Sequence, residues 1–340
     1  MRLATLLAVV LITGCGRVAD GSVAISPTPT DSSPSSVSSP APSPSGACSG
    51  TTSPPARAFA AFAYMAPKQQ AVLFGGVGAS NRPLSDTWIR QSGCWTEVHP
   101  SANPPSNTIL ASAYDASSAE LVVLMYGGSG TSSYLDLSTW LWDGNNWRAS
   151  PVLGPRVSAG QAAYDRASGQ VILFGMADIS GAGETWAWDG SSWSRLNPTT
   201  SPVARFNAAM VADPATNTIL LFSGVNGMSR ELLGDTWSWS GTQWTKLAPA
   251  SSPPPRQEAT VSPFARGGRT ILIGGLGASG SVLADAWQWD GITWSTIPGV
   301  GANCCSVATD DGSEIVVFGG GNDHATGQTR LWNGTTWTTE

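Results

Sequence analysis

Arg57, Arg156, Arg205 and Arg256 each precede an acid by 28 to 30 residues, namely Asp86, Glu184, Asp235 and Asp285. A guanidinium and a carboxylate at a fixed spacing can form a structural ion pair. Alternatively, four unpaired guanidiniums could ring a site for an acidic ligand. The same period has two further positions. They hold Asn107 with Ser138, and Ala302 with Gln328. Arginine and acid are therefore present together or absent together. Pairing explains that co-occurrence and a ring of free arginines does not, so these eight residues read as structural ion pairs.

Other reactive groups are sparse. There are two histidines, His99 and His324, with no paired ligand spacing, so no metal and no cofactor are expected. Adjacent Arg230 and Glu231 offer a cation and a general acid/base. Apart from this dipeptide, no arrangement of nucleophile and base stands out, and the residues point to binding more than to catalysis. The net charge is -6, with no run of Lys or Arg. Such a surface repels phosphate backbones and argues against nucleic acid as a partner.

The elements that must position these residues are strands. Only 12% of residues are charged, and Gly, Ser, Thr and Pro abound. All sixteen Trp fall in six hairpin-like units. Thr139-Trp-Leu-Trp-Asp-Gly-Asn-Asn-Trp147 is one copy, with others ending at Trp193, Trp244 and Trp294 and weaker ones at Trp95 and Trp337. The final Trp recurs every 43 to 52 residues, a period typical of propellers. In the third unit a small-residue strand, Gln161 to Tyr164, precedes an apolar run, Val171 to Phe174. Small residues suit a crowded axis, and an unbroken apolar run suits a strand covered on both faces. Trp140 and Trp142 share one strand face. A two-residue turn at Asp143-Gly144 would set Trp140 opposite Trp147, and a four-residue turn would set Trp142 there. In either case the rings serve packing between blades more than sugar stacking. The expected fold is all-β, a six-bladed propeller of four-stranded antiparallel blades.

Apolar strands running into Gly75-Gly76, Gly127-Gly128, Gly274-Gly275 and Gly319-Gly320, followed by a loop and a spaced Trp, resemble Kelch repeats. Gly175-Met176 and Ser223-Gly224 depart from that pattern. The resemblance covers residues 57–340 and implies a propeller with a binding role. Related galactose-oxidase-like copper enzymes need two His and two Tyr, including an adjacent Tyr-His, which is missing here. Asp189-Gly190 and Asp290-Gly291 lack the residue that separates Asp from Gly in a sialidase Asp-box. Some Kelch propellers are sugar mutarotases, which makes Arg230 and Glu231 the alternative, enzymatic reading.

Antiparallel logic places the long loops on one face: Val77 to Ser85, Val225 to Leu233 and Gly321 to Gly327. Variable loops on a rigid scaffold carry binding. The candidates there are Arg82, Tyr134, Asp178, Arg230, Glu231, Asp323 and His324, facing a protein or glycan partner.

The chain opens with Arg2, an apolar stretch Leu3 to Ile12, and Gly14-Cys15. This is similar to a bacterial lipoprotein signal, which implies removal of residues 1–14 and lipidation of Cys15. Residues 15–56 are Ser/Pro/Thr-rich and read as a flexible tether. The expected protein is extracytoplasmic, monomeric and joined to the membrane only through Cys15. An exported chain favours disulfides. Cys48 with Cys94 would pin the tether to the first unit, while Cys48 with Cys304 or Cys305 would clasp the first unit to the last.

Overall fold

The computed structural model describes residue 48 and residues 52–127, 137–177, 183–301, 303–321 and 325–340. Six four-stranded antiparallel sheets form six blades, spanning residues 61–98, 109–149, 159–196, 209–247, 260–297 and 307–339. Each blade is one contiguous run of chain. The first strand of every blade touches the first strands of both neighbours, so these strands ring a central axis. Small residues at their inner positions, such as Ala61, Ala111, Ala163 and Ala209, permit that convergence. The second strands are buried apart from some end residues, as in Val122, Val123 and Leu124 of blade 2 and Ile271, Leu272 and Ile273 of blade 5.

In the Trp hairpin the four-residue turn holds. Trp142 pairs with Trp147, Trp188 with Trp193, Trp239 with Trp244, Trp289 with Trp294 and Trp332 with Trp337. The Asp143 carboxylate accepts from the Asn145 and Asn146 backbone N–H groups at 2.7 and 2.8 Å, closing an Asx turn. Gly144 follows at φ 96°, in the left-handed region that favours glycine. Blade 1 differs: Gln91 pairs with Cys94 across a tighter turn, and Arg90 replaces the second Trp.

The last Trp of each hairpin reaches into the preceding blade. Its indole N–H donates to the Thr just before the first Trp of that blade's third strand. Trp147 donates to Thr87, Trp193 to Thr139, Trp244 to Thr185 and Trp294 to Thr236, at 3.0 to 3.2 Å. Blade 5 has Ala286 in this position, and Trp337 donates instead to the Pro298 carbonyl at 2.9 Å. Phe74, Phe174, Phe222 and Phe318 cover Trp147, Trp244, Trp294 and Trp95 at centroid distances of 4.6 to 5.4 Å. Leu124 and Ile273 occupy the equivalent positions beside Trp193 and Trp337. Those two indoles are only half-buried.

Cys48 and Cys94 form a disulfide with Cα atoms 5.6 Å apart. It ties the segment before blade 1 to that blade's fourth strand.

Candidate functional site

Three of the arginine–acid pairs form within their blades. Arg57 meets Asp86 at 2.6 Å, Arg205 meets Asp235 at 2.6 Å and Arg256 meets Asp285 at 2.7 Å. Each arginine side chain is fully buried. Its second bond goes to the carbonyl eighteen residues on, at Gly75, Ser223 and Gly274. The acid also accepts from the first Trp of its hairpin: Trp88, Trp237 and Trp287 donate at 2.6 to 2.7 Å. Burial alone would raise these carboxyls. The arginine hydrogen bond and charge, with the Trp bond, outweigh it and hold Asp86, Asp235 and Asp285 below the ordinary value.

Blade 3 corrects the expected pair of Arg156 with Glu184. Eighteen residues before Gly175 lies Val157, which is fully buried and fills the arginine slot. Arg156 is thereby shifted onto the exposed surface. Glu184 pairs instead with Arg195 at 2.8 Å, whose side chain is half exposed. Blade 6 solves the same problem differently. Arg330 takes the position of the first Trp and donates to the Gly319 carbonyl at 3.1 Å.

Beside the buried arginines the backbone turns inward. Phe59, Asn207, Glu258 and Cys305 occupy one equivalent position in blades 1, 4, 5 and 6. All are left-handed, at φ 56° to 65°. Their backbones form a chain of bonds from blade to blade. Phe59 N–H donates to Cys305 O, Cys305 N–H to Glu258 O, and Glu258 N–H to Asn207 O, at 3.0 to 3.2 Å. A second course of bonds runs alongside. Gly224 N–H donates to Arg256 O, Gly275 to Asn303 O and Gly320 to Arg57 O, at 2.8 to 3.0 Å. This explains the second glycine of the doublets Gly274-Gly275 and Gly319-Gly320, and the glycine of Ser223-Gly224. A Cβ on Gly275 would stand 2.6 Å from Gln257 O, and its φ is 101°. Between blades 2 and 3 the backbone bonds give way to a side chain: Tyr126 OH donates to Ser158 O at 2.6 Å. Burial pushes the Tyr126 hydroxyl up to about 12, so it remains a donor.

The ring rims an axial cavity of roughly 580 Å³ that opens on the long-loop face. Phe59, Asn81, Gln161, Asn207, Glu258 and Cys305 are among its lining residues. Its wall reaches as deep as Ser112, Ala162, Met210 and Ala308, within the first strands. Glu258 accepts from Asn207 Nδ2 at 2.9 Å and from the Cys305 thiol at 3.1 Å. Burial raises the Glu258 carboxyl above the usual range. The Cys305 thiol is pushed up by its bond to Cys304, by burial and by the nearby carboxylate. A second, open groove of roughly 360 Å³ lies by blade 3, lined by Arg156, Glu184, Trp186, Trp193 and Arg195.

Three of the loop residues singled out from the sequence, Arg82, Arg230 and Glu231, do not line this cavity. Arg82 is exposed on its loop. The Arg230 guanidinium lies over the Phe206 ring at 5.2 Å, and Glu231 accepts from Ser229 Oγ at 3.1 Å. Both are exposed, and neither lines the cavity. Tyr134, Asp178, Asp323 and His324 lie outside the described residues, as do Cys15 and residues 1–14. The rim residues were missed because their types have nothing in common. What they share is a place, two residues after Arg57, Arg205 and Arg256.

No family model matches the chain, and no curated protein matches it with significance.

Proposed function

We propose that the protein is an extracytoplasmic, lipid-anchored binding protein of the Kelch type that recognises a surface glycan on the long-loop face. The observation that carries the reading is the axial cavity, which opens among the long loops and whose rim is joined by backbone hydrogen bonds from blade 4 through blades 5 and 6 to blade 1. Its neutral amides, Asn81, Gln161 and Asn207, with the half-exposed Phe59 ring beside them, suit hydroxyl groups and sugar faces. The partly open indoles of Trp186 and Trp193 add a second aromatic surface. The Ser/Pro/Thr-rich segment 15–56 would hold this face away from the lipid at Cys15. The Arg230–Glu231 dipeptide gains no support for a mutarotase, since its arginine packs on Phe206 and both side chains lie away from the cavity.

A glycan array probed with the detergent-solubilised full chain tests the reading. Selective binding, lost in a variant carrying Asn81→Ala and Gln161→Ala, is the expected result. Capture of a protein but no glycan from envelope extracts would contradict the glycan reading. So would glycan binding that this variant leaves unchanged.

A further inference from the structure

We propose that Glu258, Cys304 and Cys305 bind one soft or borderline divalent cation, of the zinc–cadmium class, on the cavity wall where blade 5 meets blade 6. Two thiol sulfurs and a carboxylate oxygen lie within 4.8 Å of one another. The Cys305 sulfur is 3.1 Å from Glu258 Oε2 and 2.7 Å from the Cys304 sulfur. Thiolate and carboxylate ligands are a donor set that zinc accepts, and three protein ligands leave a fourth position for water or a ligand atom. All three residues line the cavity, so an ion has a route in and the fourth position can face solvent.

The donors are held before any ion arrives. Cys305 N–H donates to Glu258 O at 3.2 Å, which fixes one ligand directly against another across the blade boundary. Cys304 is clamped by two backbone bonds with Gly321, at 3.1 and 3.3 Å. Asn207 Nδ2 occupies Glu258 Oε1 at 2.9 Å, leaving Oε2 turned toward the sulfur. That is the outer-shell support a ligating carboxylate commonly has. Among the described residues no Lys or Arg makes an ion pair with Glu258. Tetrahedral geometry with metal–sulfur bonds of about 2.3 Å sets the sulfurs about 3.8 Å apart. The thiols must therefore open by roughly 1 Å, which side-chain rotation supplies while the backbone stays clamped. A bound ion would staple blade 5 to blade 6.

The test titrates the reduced full chain with cadmium ion alone and reads the ultraviolet thiolate-to-cadmium charge-transfer band. One equivalent per chain is expected, with a rise in melting temperature. Reductant can also release Cys48 and Cys94, so C304S/C305S must abolish the band. E258Q keeps every thiol and should weaken binding by about tenfold or more. It carries the test if the double-serine variant does not fold. A band that survives in C304S/C305S overturns the proposal, as does equal affinity for wild type and E258Q. Peptide mapping that recovers Cys304 bonded to Cys305 in the protein isolated without reductant overturns it as well.

Discussion

Trp95 of blade 1 donates its indole N–H to Thr329 of blade 6 at 3.0 Å, closing around the seam the contact that joins the interior blades. No strand is shared across that seam, because each blade is built from consecutive chain. Closure rests on side chains and loop backbone instead. Arg90 meets Glu340 at 2.7 Å and Asp311 at 3.6 Å. Phe62, Trp88 and Trp95 pack against Val316, Phe318 and Leu331. Thr329→Val should cost about 1 kcal/mol, the usual worth of one hydrogen bond. Removing the Cys48–Cys94 bridge, 46 residues apart in sequence, should cost about 2–4 kcal/mol and loosen blade 1 first. Hydrogen exchange that leaves blade 1 as protected as blade 3 in the bridge-less protein would show that the bridge does not guard the seam.

The buried and exposed ion pairs should respond very differently to deletion. Asp235→Ala strands the fully buried Arg205 guanidinium and should cost about 3–5 kcal/mol. Glu184→Ala removes the partner of the half-exposed Arg195 and should cost less than about 1 kcal/mol. Urea denaturation measures both. Equal losses would mean that blade 3 keeps a buried pair after all.

Acid should weaken the fold through the same pairs. Asp86, Asp235 and Asp285 have carboxyls held below the ordinary value, so their contribution is full above the unfolded value of about 4. It is lost as pH falls through the folded value. Asp310 and Glu314, raised chiefly by burial, act in the opposite sense and soften the fall. The stability gap between wild type and Asp235→Asn should therefore narrow as pH drops below about 4. A gap that stays constant down to about pH 2 would remove the pair from the explanation.

Among the hairpin tryptophans, Trp244 is 1% exposed under Phe174, whereas Trp193 borders the blade 3 groove. Trp244→Ala should cost about 3–5 kcal/mol and Trp193→Ala distinctly less. If Trp193→Ala melts as low as Trp244→Ala, the groove is closed in solution and offers no aromatic surface.

Much of the architecture could be read from spacing. The Trp period announces six blades, and the joint loss of arginine and acid in two units points to pairing within a blade. Blade 3 shows where counting fails. Arg156 and Glu184 have the right types, but one extra residue before Gly175 gives Val157 the buried slot. Only burial distinguishes the two neighbours. The cavity rim was illegible for a different reason. Phe59, Asn207, Glu258 and Cys305 are brought together by a shared left-handed backbone turn, which leaves no signature in residue type.

Ligand bound at the axis on the long-loop face would shield the rim backbone from exchange. Hydrogen–deuterium exchange with and without a glycan captured on the array tests it most directly. Slowed exchange over residues 58–60, 207–210 and 257–261, with residues 143–146 and 189–192 on the opposite face unchanged, is the predicted footprint. Protection confined to those hairpin turns, with the rim unchanged, would contradict it.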